Sequence, residues 1–166
     1  MTDAESGVNF DLDGDGLPER LGWTAADSDE SFLALDRNGN AFIDSGAELF
    51  GDFTEQPPSQ EPNGFLALAV FDRSDAGGDQ DGVITPSDLV FDHLLLWRDN
   101  NHDGLSQPEE LHSLADAGII SVSLDYRESR RRDAHGNEYR YFALVTRDDP
   151  GLSRLVAVDV FLVGAP

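Results

Sequence analysis

The strongest structural signal in the sequence is Asp99-Asn100-Asn101-His102-Asp103-Gly104-Leu105-Ser106-Gln107-Pro108-Glu109-Glu110. Short oxygen-bearing side chains stand at its first, third and fifth positions, a glycine at the sixth and a carboxylate at the twelfth. An EF-hand loop presents oxygens to calcium at this spacing, and its seventh residue contributes a backbone carbonyl. The sequence therefore predicts a calcium loop here, called loop 4. Its predicted ligands are Asp99, Asn101, Asp103, the Leu105 carbonyl and Glu110.

A related acidic stretch, loop 3, lies upstream at residues 72–88. When Gly82 is taken as the sixth-position glycine, carboxylates fall at the third, fifth and twelfth positions. The first position then falls on Gly77, which has no side chain, so we expect an insertion that lets Asp72 or Asp75 supply the first ligand. With Asp72 in that role, the predicted ligands are Asp72, Asp79, Asp81, the Val83 carbonyl and Asp88. Ile84, at the eighth position, suits the short β-bridge that pairs EF-hand loops.

Loop 1, residues 11–19, repeats the beginning of the pattern as Asp-Leu-Asp-Gly-Asp-Gly, but Gly22 stands at the twelfth position. The glutamate at the ninth position, Glu19, binds directly or through water, and we expect distant groups or water to complete the site. The predicted ligands of loop 1 are Asp11, Asp13, Asp15, the Leu17 carbonyl and Glu19.

Loop 2, residues 36–48, follows an apolar strand directly and departs from the pattern at two points. Ala41 replaces the turn glycine, and the closing Glu48 comes one place late. We still expect an EF-like calcium site with altered geometry. Its predicted ligands are Asp36, Asn38, Asn40, the Phe42 carbonyl, Asp44 and Glu48.

Apolar periodicity predicts helices around loops 3 and 4. A helix over 64–71, capped by Asn63, leads into loop 3. A second helix, roughly 86–98, connects loop 3 to loop 4. The last helix runs over 107–117 and ends at Gly118.

Elsewhere the apolar residues alternate, which indicates strands. Two short strands, at 21–25 and 31–35, flank a polar turn at 27–30. Beyond residue 118, strands near 122–126, 139–145 and 156–162 predict an antiparallel meander. Its turns are expected at 133–137 and 148–153.

These elements together predict an α+β fold, in which EF-hand-like calcium loops with short helices pack on an antiparallel β meander. We expect a single domain over 1–166, with the calcium-loop and helical part at 11–118 and the antiparallel strands at 119–163. The short predicted elements are typical of a small domain in which bound ions add to a modest core.

The charge of the chain favours the same interpretation. Asp and Glu number 33 against 11 basic residues, giving a formal net charge of −22. Nucleic acid and anionic membrane surfaces bind positive potential, so neither is an expected partner. About four calcium ions, the expected cofactors, would reduce the formal charge to −14. The chain has no cysteine, which excludes disulfides, and no apolar run of the ~20 residues that a membrane span requires.

Catalytic motifs are absent from the sequence. There is no G-x-S-x-G, no G-x-x-x-x-G-K and no histidine pair at zinc spacing. Abundant carboxylates leave a glycosidase pair open by composition, but the best-placed acids already have calcium roles. A basic patch at Arg127–Arg132, with Arg140 near it across a hairpin, has two interpretations. It either offsets the acidic surface, which we favour, or docks an acidic partner or carboxylated glycan.

The run from residue 11 to about 124 resembles calcium-binding modules of secreted bacterial repeat-in-toxin proteins, including their self-processing module. The resemblance lies in FDLDGDG (10–16), LALDRNGN (33–40), GAELFGD (46–52), DGVI (81–84), LLWRDNNHDGLSQPEEL (95–111) and LADAGIISVSL (114–124). The tail, YRESRRRDAHGN (126–137) and VDVFLV (158–163), looks like a relative of that group.

In the self-processing members, calcium-induced folding activates cleavage of an Asp-Pro bond at the N-terminal edge of the module. This chain departs there, because no Asp-Pro precedes Asp11 and the single Asp-Pro is Asp149-Pro150, in a late turn. The resemblance thus implies a calcium-folded structural or interaction module, secreted or at the cell surface, beside neighbouring domains of a larger protein. Calcium-activated autoproteolysis is the alternative, and we expect no enzyme. Residues 1–5 lack signal-peptide features, which predicts a cut-out module or export by another route.

Overall fold

The structure is a computed structural model that describes residues 1–26, 28–149, 151 and 155–165. Within these residues, antiparallel β-sheets dominate, accompanied by one short α-helix and several 3-10 turns. None of the described helices is long and apolar enough to cross a membrane. The strands are β1 (Val8–Phe10), β2 (Glu19–Leu21), β3 (Phe32–Leu35), β4 (Val83–Ile84), β5 (Leu94–Trp97), β6 (Leu111–Ser113), β7 (Ile119–Ser123), β8 (Arg127–Arg132), β9 (Glu138–Arg147) and β10 (Leu155–Phe161).

Two small sheets hold loops 1, 2 and 4. Strands β1 and β2 pair with each other, and loop 1 connects them. The second sheet has the order β3-β5-β6, so that β3 leads into loop 2 while β5 and β6 flank loop 4. The predicted strand at 31–35 is confirmed as β3, whereas the one at 21–25 forms earlier, as β2. These two strands do not pair with each other, and the Asp27 position of the turn between them lies outside the described residues.

The third sheet is the predicted meander, in an extended form. It has the order β10-β9-β7-β4, and β8 also pairs with β9. The ten-residue β9 is long enough to bind β10 along one edge and both β7 and β8 along the other. The three predicted strands are present as β7, β9 and β10, but β7 begins and ends three residues earlier than predicted. Strands β8 and β4 were not predicted. The predicted turn at 148–153 includes three positions outside the described residues, namely Pro150, Leu152 and Ser153.

The predicted helix over 86–98 is wrong. Residues Phe91–His93 form a 3-10 turn, and Leu94–Trp97 form the central strand β5. A continuous apolar run such as Leu-Leu-Leu-Trp has the same signature in a buried helix and in a buried strand. Here β3 and β6 supply backbone hydrogen-bond partners on both edges, and the strand prevails.

The predicted helix over 107–117 is also wrong. It reduces to the 3-10 turn Pro108–Glu110, after which Leu111 is extended and begins β6. An isolated helix of this length is marginal, and pairing with the free edge of β5 gives the backbone an alternative. Gly118 does end the turn that follows, in a left-handed conformation with φ 67.

The predicted helix over 64–71 is confirmed as α1, Gly64–Ala69, which continues as a 3-10 turn over Val70–Asp72. Asn63 caps it as predicted, because its Oδ1 accepts a hydrogen bond of 3.0 Å from the Leu66 amide. The buried Asp159 of β10 accepts a hydrogen bond of 2.9 Å from the Gly64 amide and so attaches the start of α1 to the sheet.

Asp159 makes the stability of the fold depend on pH. Burial is the largest cause that raises its pKa, to about 6, and the Gly64 amide opposes the shift. Since the folded state then binds a proton more tightly than the unfolded state, this group favours folding increasingly as the pH falls through 6. Asp159→Asn keeps an acceptor for Gly64 without the buried charge.

We therefore expect Asp159→Asn to be more stable than the parent by about 2–3 kcal/mol at pH 8, with the difference shrinking towards pH 5. Urea unfolding in saturating calcium at several pH values measures it. The exposed Asp125→Asn is the matched control, for which a constant difference is expected. Parallel stability curves for the parent and Asp159→Asn would contradict the role of Asp159.

The main aromatic core lies beneath loops 1, 2 and 4. Trp23 and Trp97 are fully buried, with ring centroids 5.5 Å apart in an edge arrangement. Phe10 and Phe32 pack against both indoles. Two further clusters fill the space between α1, loop 3 and the meander, and the larger of them also includes Leu94 of β5. Loop 3 is therefore positioned by a different core from loops 1, 2 and 4, although β5 contributes to both.

Candidate metal centre

Loop 1 gathers its four carboxylates between β1 and β2. One oxygen from each of Asp11, Asp13, Asp15 and Glu19 lies within 4.8 Å of the others. The Oδ2 atom of Asp11 accepts a hydrogen bond of 3.0 Å from the amide of Gly16, the sixth residue. Its Oδ1 atom is buried and has no hydrogen-bond partner within the part of the chain that the structure describes. A buried carboxylate oxygen without a partner is costly, and a cation at this point would satisfy it.

Loop 3 has the same arrangement at its first ligand position. Oxygens of Asp72, Asp79 and Asp81 lie within 4.8 Å of one another. The Oδ2 atom of Asp72 accepts a hydrogen bond of 3.1 Å from the Gly82 amide, while no described residue hydrogen-bonds to its buried Oδ1 atom. Asp75, the other candidate from the sequence, instead pairs with Arg73 at 2.7 Å. The structure thus brings Asp72, rather than Asp75, to the predicted cluster.

The insertion predicted in loop 3 forms a local turn. Residues Ser74–Ala76 make a 3-10 turn that ends at Gly77 in the left-handed region. The closing Asp88 is 2% exposed and accepts hydrogen bonds from the amides of Asp79 (3.4 Å) and Thr85 (2.8 Å). The aspartate therefore reaches both ends of its loop.

Loops 2 and 4 close in the same way despite their different lengths. Glu48 and Glu110 are each the last residue of a 3-10 turn, and they are 2% and 3% exposed. Glu48 Oε1 accepts a hydrogen bond of 3.0 Å from the Arg37 amide, and Glu110 Oε1 one of 2.9 Å from the Asn100 amide. Both donors are the second residue of their loop. The extra residue of loop 2 therefore leaves its closing glutamate in the equivalent place.

The sixth position is also equivalent in loops 2 and 4. The amides of Ala41 and Gly104 donate hydrogen bonds of 2.9 Å to Oδ2 of Asp36 and Asp99, respectively. Ala41 has φ 67 and Gly104 has φ 74. Ala41 thus adopts the left-handed conformation that normally favours glycine, at a cost of about 1–2 kcal/mol.

The acidic oxygens of loops 2 and 4 are less concentrated than those of loops 1 and 3. Among the described residues, only loops 1 and 3 bring three or more acidic side chains within 4.8 Å. In the other two loops, asparagine amides donate to the neighbouring carboxylates: Asn40 to Asp44 at 2.7 Å and Asn101 to Asp103 at 2.9 Å. A cation in these loops would therefore require the two amide groups to turn their oxygens inward.

Proximity and burial also raise the proton affinity of two of these carboxylates. Burial is the main cause of a raised pKa at Glu48, where the charge of Asp44 adds to it. Desolvation likewise raises the pKa of Asp79, with the charges of Asp81 and Asp88 contributing. Both environments disfavour uncompensated negative charge, and a divalent cation would relieve this.

Some residues that contact the loops were not predicted from the sequence. The indole N–H of Trp23 donates a hydrogen bond of 2.9 Å to Asp99 Oδ2, and that of Trp97 donates one of 3.4 Å to Glu110 Oε2. Ile84 was predicted to pair with another calcium loop but pairs with Val122 of β7. A contact of Trp97 with loop 4 could have been predicted, because Trp97 stands two residues before the loop. Trp23 is 76 residues from its partner and gives no such signal.

The arginine patch is partly neutralised within the chain. Arg132 and Arg140 both form ion pairs with Glu138, and the Arg140 guanidinium lies 3.8 Å from the centroid of the Phe161 ring. Arg131 lies over the ring of Tyr139 at 4.7 Å. These contacts agree with arginines that offset acidic surface and pack on β9 and β10.

Comparison with known proteins gives the family. The iron-regulated protein FrpA of Neisseria meningitidis serogroup C is 37% identical over 145 residues, which are 87% of this chain and 12% of FrpA. Reticulocalbin-2 of Crotalus adamanteus is 31% identical over 86 residues, which are 51% of this chain and 26% of that protein. The chain thus spans only a small part of these relatives. Residues 1–162 match the SPM domain, and the chain belongs to the SPM domain family.

Proposed function

We propose that the chain is a calcium-binding module whose four loops hold about four calcium ions that stabilise the fold. The observation that carries the proposal is that Oδ1 of Asp11 and Oδ1 of Asp72 are both buried and have no hydrogen-bond partner among the described residues. Each belongs to the first predicted ligand of its loop and lies in a cluster of carboxylates. In both loops the second oxygen, Oδ2, is fixed by the sixth-position amide.

The donor atoms favour calcium over other metals. The loops offer carboxylate, amide and backbone carbonyl oxygens, the ligands of hard cations, and none contains the cysteine or histidine pairs of zinc sites. Loop 2 has six predicted donor residues, and its closing glutamate can bind through both oxygens. A set of seven oxygens suits calcium, which takes six to eight, better than octahedral magnesium. The net charge of −22 supports the same ion, since it requires compensation.

We further propose that this module works outside the cytoplasm as part of a larger secreted or surface protein of a bacterium. Two observations support this: the resemblance of loops 1 to 4 to repeat-in-toxin modules, and the 12% share of FrpA that the chain covers. The module would then have a structural or interaction role beside neighbouring domains. Calcium is abundant outside cells, so ligation at millimolar affinity would suffice there.

Isothermal titration calorimetry with calcium tests the proposal. We expect about four ions per chain, weak competition by magnesium, and the loss of one ion in each of Asp11→Asn and Asp72→Asn. Asp92→Asn, at an exposed aspartate outside the loops, is the matched control and should keep the full stoichiometry. Absence of calcium binding by both calorimetry and equilibrium dialysis would refute the proposed function.

The proposal assigns no proteolytic step to the chain. Calcium binding would stabilise the fold without cleaving Asp149-Pro150, the single Asp-Pro bond. Mass spectrometry after prolonged incubation with calcium should therefore return the intact mass. Two fragments that meet at this bond would favour autoproteolysis instead.

A further inference from the structure

We infer that loops 1, 2 and 4 bind their ions as one coupled unit, that Ser106 transmits binding between loops 2 and 4, and that loop 3 titrates separately. The inference rests on the proposed function and adds a regulatory property to the same sites. Nothing in the calcium-loop pattern itself assigns a role to Ser106, because its eighth position supplies no ligand.

The contact between loops 2 and 4 is reciprocal. The Ser106 hydroxyl accepts a hydrogen bond of 2.7 Å from the Ile43 amide and donates one of 3.2 Å to the Ile43 carbonyl. Ser106 and Ile43 are 3% and 1% exposed and occupy the eighth position of their loops. Each directly follows a predicted carbonyl ligand, Leu105 or Phe42. A shift of either carbonyl towards an ion would therefore move the other loop as well.

Loop 1 is attached to loop 2 through the backbone. The Gly46 amide donates a hydrogen bond of 2.8 Å to the Asp11 carbonyl, and Asp11 forms a parallel bridge with Ser45. Gly46 begins the 3-10 turn that ends at Glu48. The first ligand of loop 1 and the closing ligand of loop 2 are thus fixed to the same short turn.

Loop 4 also contacts the strand that leads into loop 1. A Cβ on Gly104 would lie 3.0 Å from both the Asn9 carbonyl oxygen and the Val8 side chain. Since β1 runs from Val8 directly to Asp11, loops 1, 2 and 4 form a closed ring of contacts. Rigid contacts of this kind let one ligand bias the affinity for another.

Loop 3 has different attachments. Its Ile84 pairs with Val122, and its Gly82 carbonyl accepts a hydrogen bond of 3.0 Å from the Leu124 amide. Among the described residues, no hydrogen bond joins loop 3 to loop 1, 2 or 4. Its Ile84 packs with α1, the meander and Leu94 of β5. Since, in the described part of the chain, only this apolar packing connects loop 3 to the strand before loop 4, we expect ion binding in loop 3 to respond little to the other loops.

The two tryptophans provide a readout specific to loop 4. The chain has two, and their indole N–H groups contact Asp99 and Glu110, the first and last ligands of this loop. An ion that binds these carboxylates would change the indole environment. Circular dichroism of the same samples identifies the calcium concentrations at which the chain is folded. Over that range tryptophan fluorescence reports the loop 4 midpoint, while calorimetry counts all ions.

The experiment compares loop variants by this signal. Typical coupling between sites changes affinity by about 5- to 150-fold. We expect Asp36→Asn in loop 2 to raise the loop 4 midpoint about tenfold, and Asp72→Asn in loop 3 to change it less than about twofold. Asp44→Asn in loop 2, a milder change, should also raise the loop 4 midpoint. This variant replaces Asp36→Asn in the comparison if Asp36→Asn does not fold.

Ser106→Ala tests the transmitting residue in a double-mutant cycle. In this background the effect of Asp36→Asn should fall below about threefold, because the loop 2 to loop 4 hydrogen bonds are absent. A purely structural role for Ser106 would lower stability but leave the tenfold effect in place. Ser121→Ala, on β7, is the matched serine control. If Ser106→Ala does not fold, the comparison of loop 2 with loop 3 still decides the coupling.

The possible outcomes distinguish failure of the coupling from failure of the proposed calcium binding. Equal midpoints for Asp36→Asn and the parent, or equal shifts for Asp36→Asn and Asp72→Asn, would overturn the coupled unit while calorimetry still counts calcium ions. An unchanged Asp36→Asn effect in the Ser106→Ala background would overturn the role of Ser106. A complete lack of calcium binding in the parent chain would instead refute the proposed function itself.

Discussion

Glu110→Gln should abolish calcium binding by loop 4 at concentrations that saturate the parent chain. The carboxylate is 3% exposed, closes the loop, and accepts hydrogen bonds from the Asn100 amide and the Trp97 indole. Mutation of a residue that only supports a metal ligand can lower metal affinity about 100-fold. Mutation of a charged ligand should lower it further. Loss of 100-fold in affinity corresponds to about 2.7 kcal/mol.

Calorimetry and thermal unfolding at fixed calcium measure this effect. Glu109→Gln makes the same chemical change at the neighbouring, exposed residue and should retain full binding. Because the inferred coupling joins loop 4 to loops 1 and 2, Glu110→Gln should also weaken those sites. Equal calcium stoichiometry and melting temperature for the two variants would contradict the assignment of Glu110 as a ligand.

Gly46→Ala should destabilise the calcium-loaded protein by about 3 kcal/mol or prevent it from folding. A Cβ at this position would lie 1.9 Å from the carbonyl oxygen of Leu12, which belongs to the backbone and cannot rotate away. Relief of the clash would separate loop 1 from loop 2 and break the hydrogen bond from Gly46 to Asp11. Chemical denaturation in calcium measures the loss.

A nearby glycine offers the control. A Cβ on Gly51 would meet nothing within 4 Å, and its φ lies outside the left-handed region. Gly51→Ala should therefore change stability by less than about 0.5 kcal/mol. Similar denaturation midpoints for Gly46→Ala and the parent would mean that loops 1 and 2 are not held together at this point.

The acidic loops could be located from the sequence because their chemistry is local. Spacing alone brought Asp11, Asp13, Asp15 and Glu19 into one predicted site, and the structure brings them together. The same spacing failed at the start of loop 3, where an insertion interrupts it. The structure selects Asp72 over Asp75, because Asp72 accepts a hydrogen bond from the Gly82 amide and Asp75 pairs with Arg73.

Strands flank loop 4 where helices were predicted, and these strands could not be predicted because their pairing depends on residues distant in the sequence. Leu94–Trp97 is a strand since β3, some 60 residues earlier, pairs along its whole length. In turn, β6 forms because β5 leaves an edge free. A helical EF-hand pattern around the loops was therefore expected, whereas short 3-10 turns and strands flank them.

The contacts between loops also could not be predicted from the sequence. The predicted β-bridge between Ile84 and another loop is wrong, because Ile84 pairs with Val122 of β7. The contact between loops instead joins Ile43 to Ser106, the eighth residues of loops 2 and 4, through a serine side chain. A serine at this position carries no signal until its partner, 63 residues away, is known.

The most direct test of the calcium claim is circular dichroism of one sample, first in excess EDTA and then in millimolar calcium. We predict a largely unfolded spectrum without calcium, since repulsion among clustered carboxylates opposes folding. Calcium should restore the strand-rich far-ultraviolet spectrum and the near-ultraviolet signal of Trp23 and Trp97. Magnesium at the same concentration should not. Identical spectra and melting temperatures in EDTA and in calcium would contradict a calcium-dependent fold.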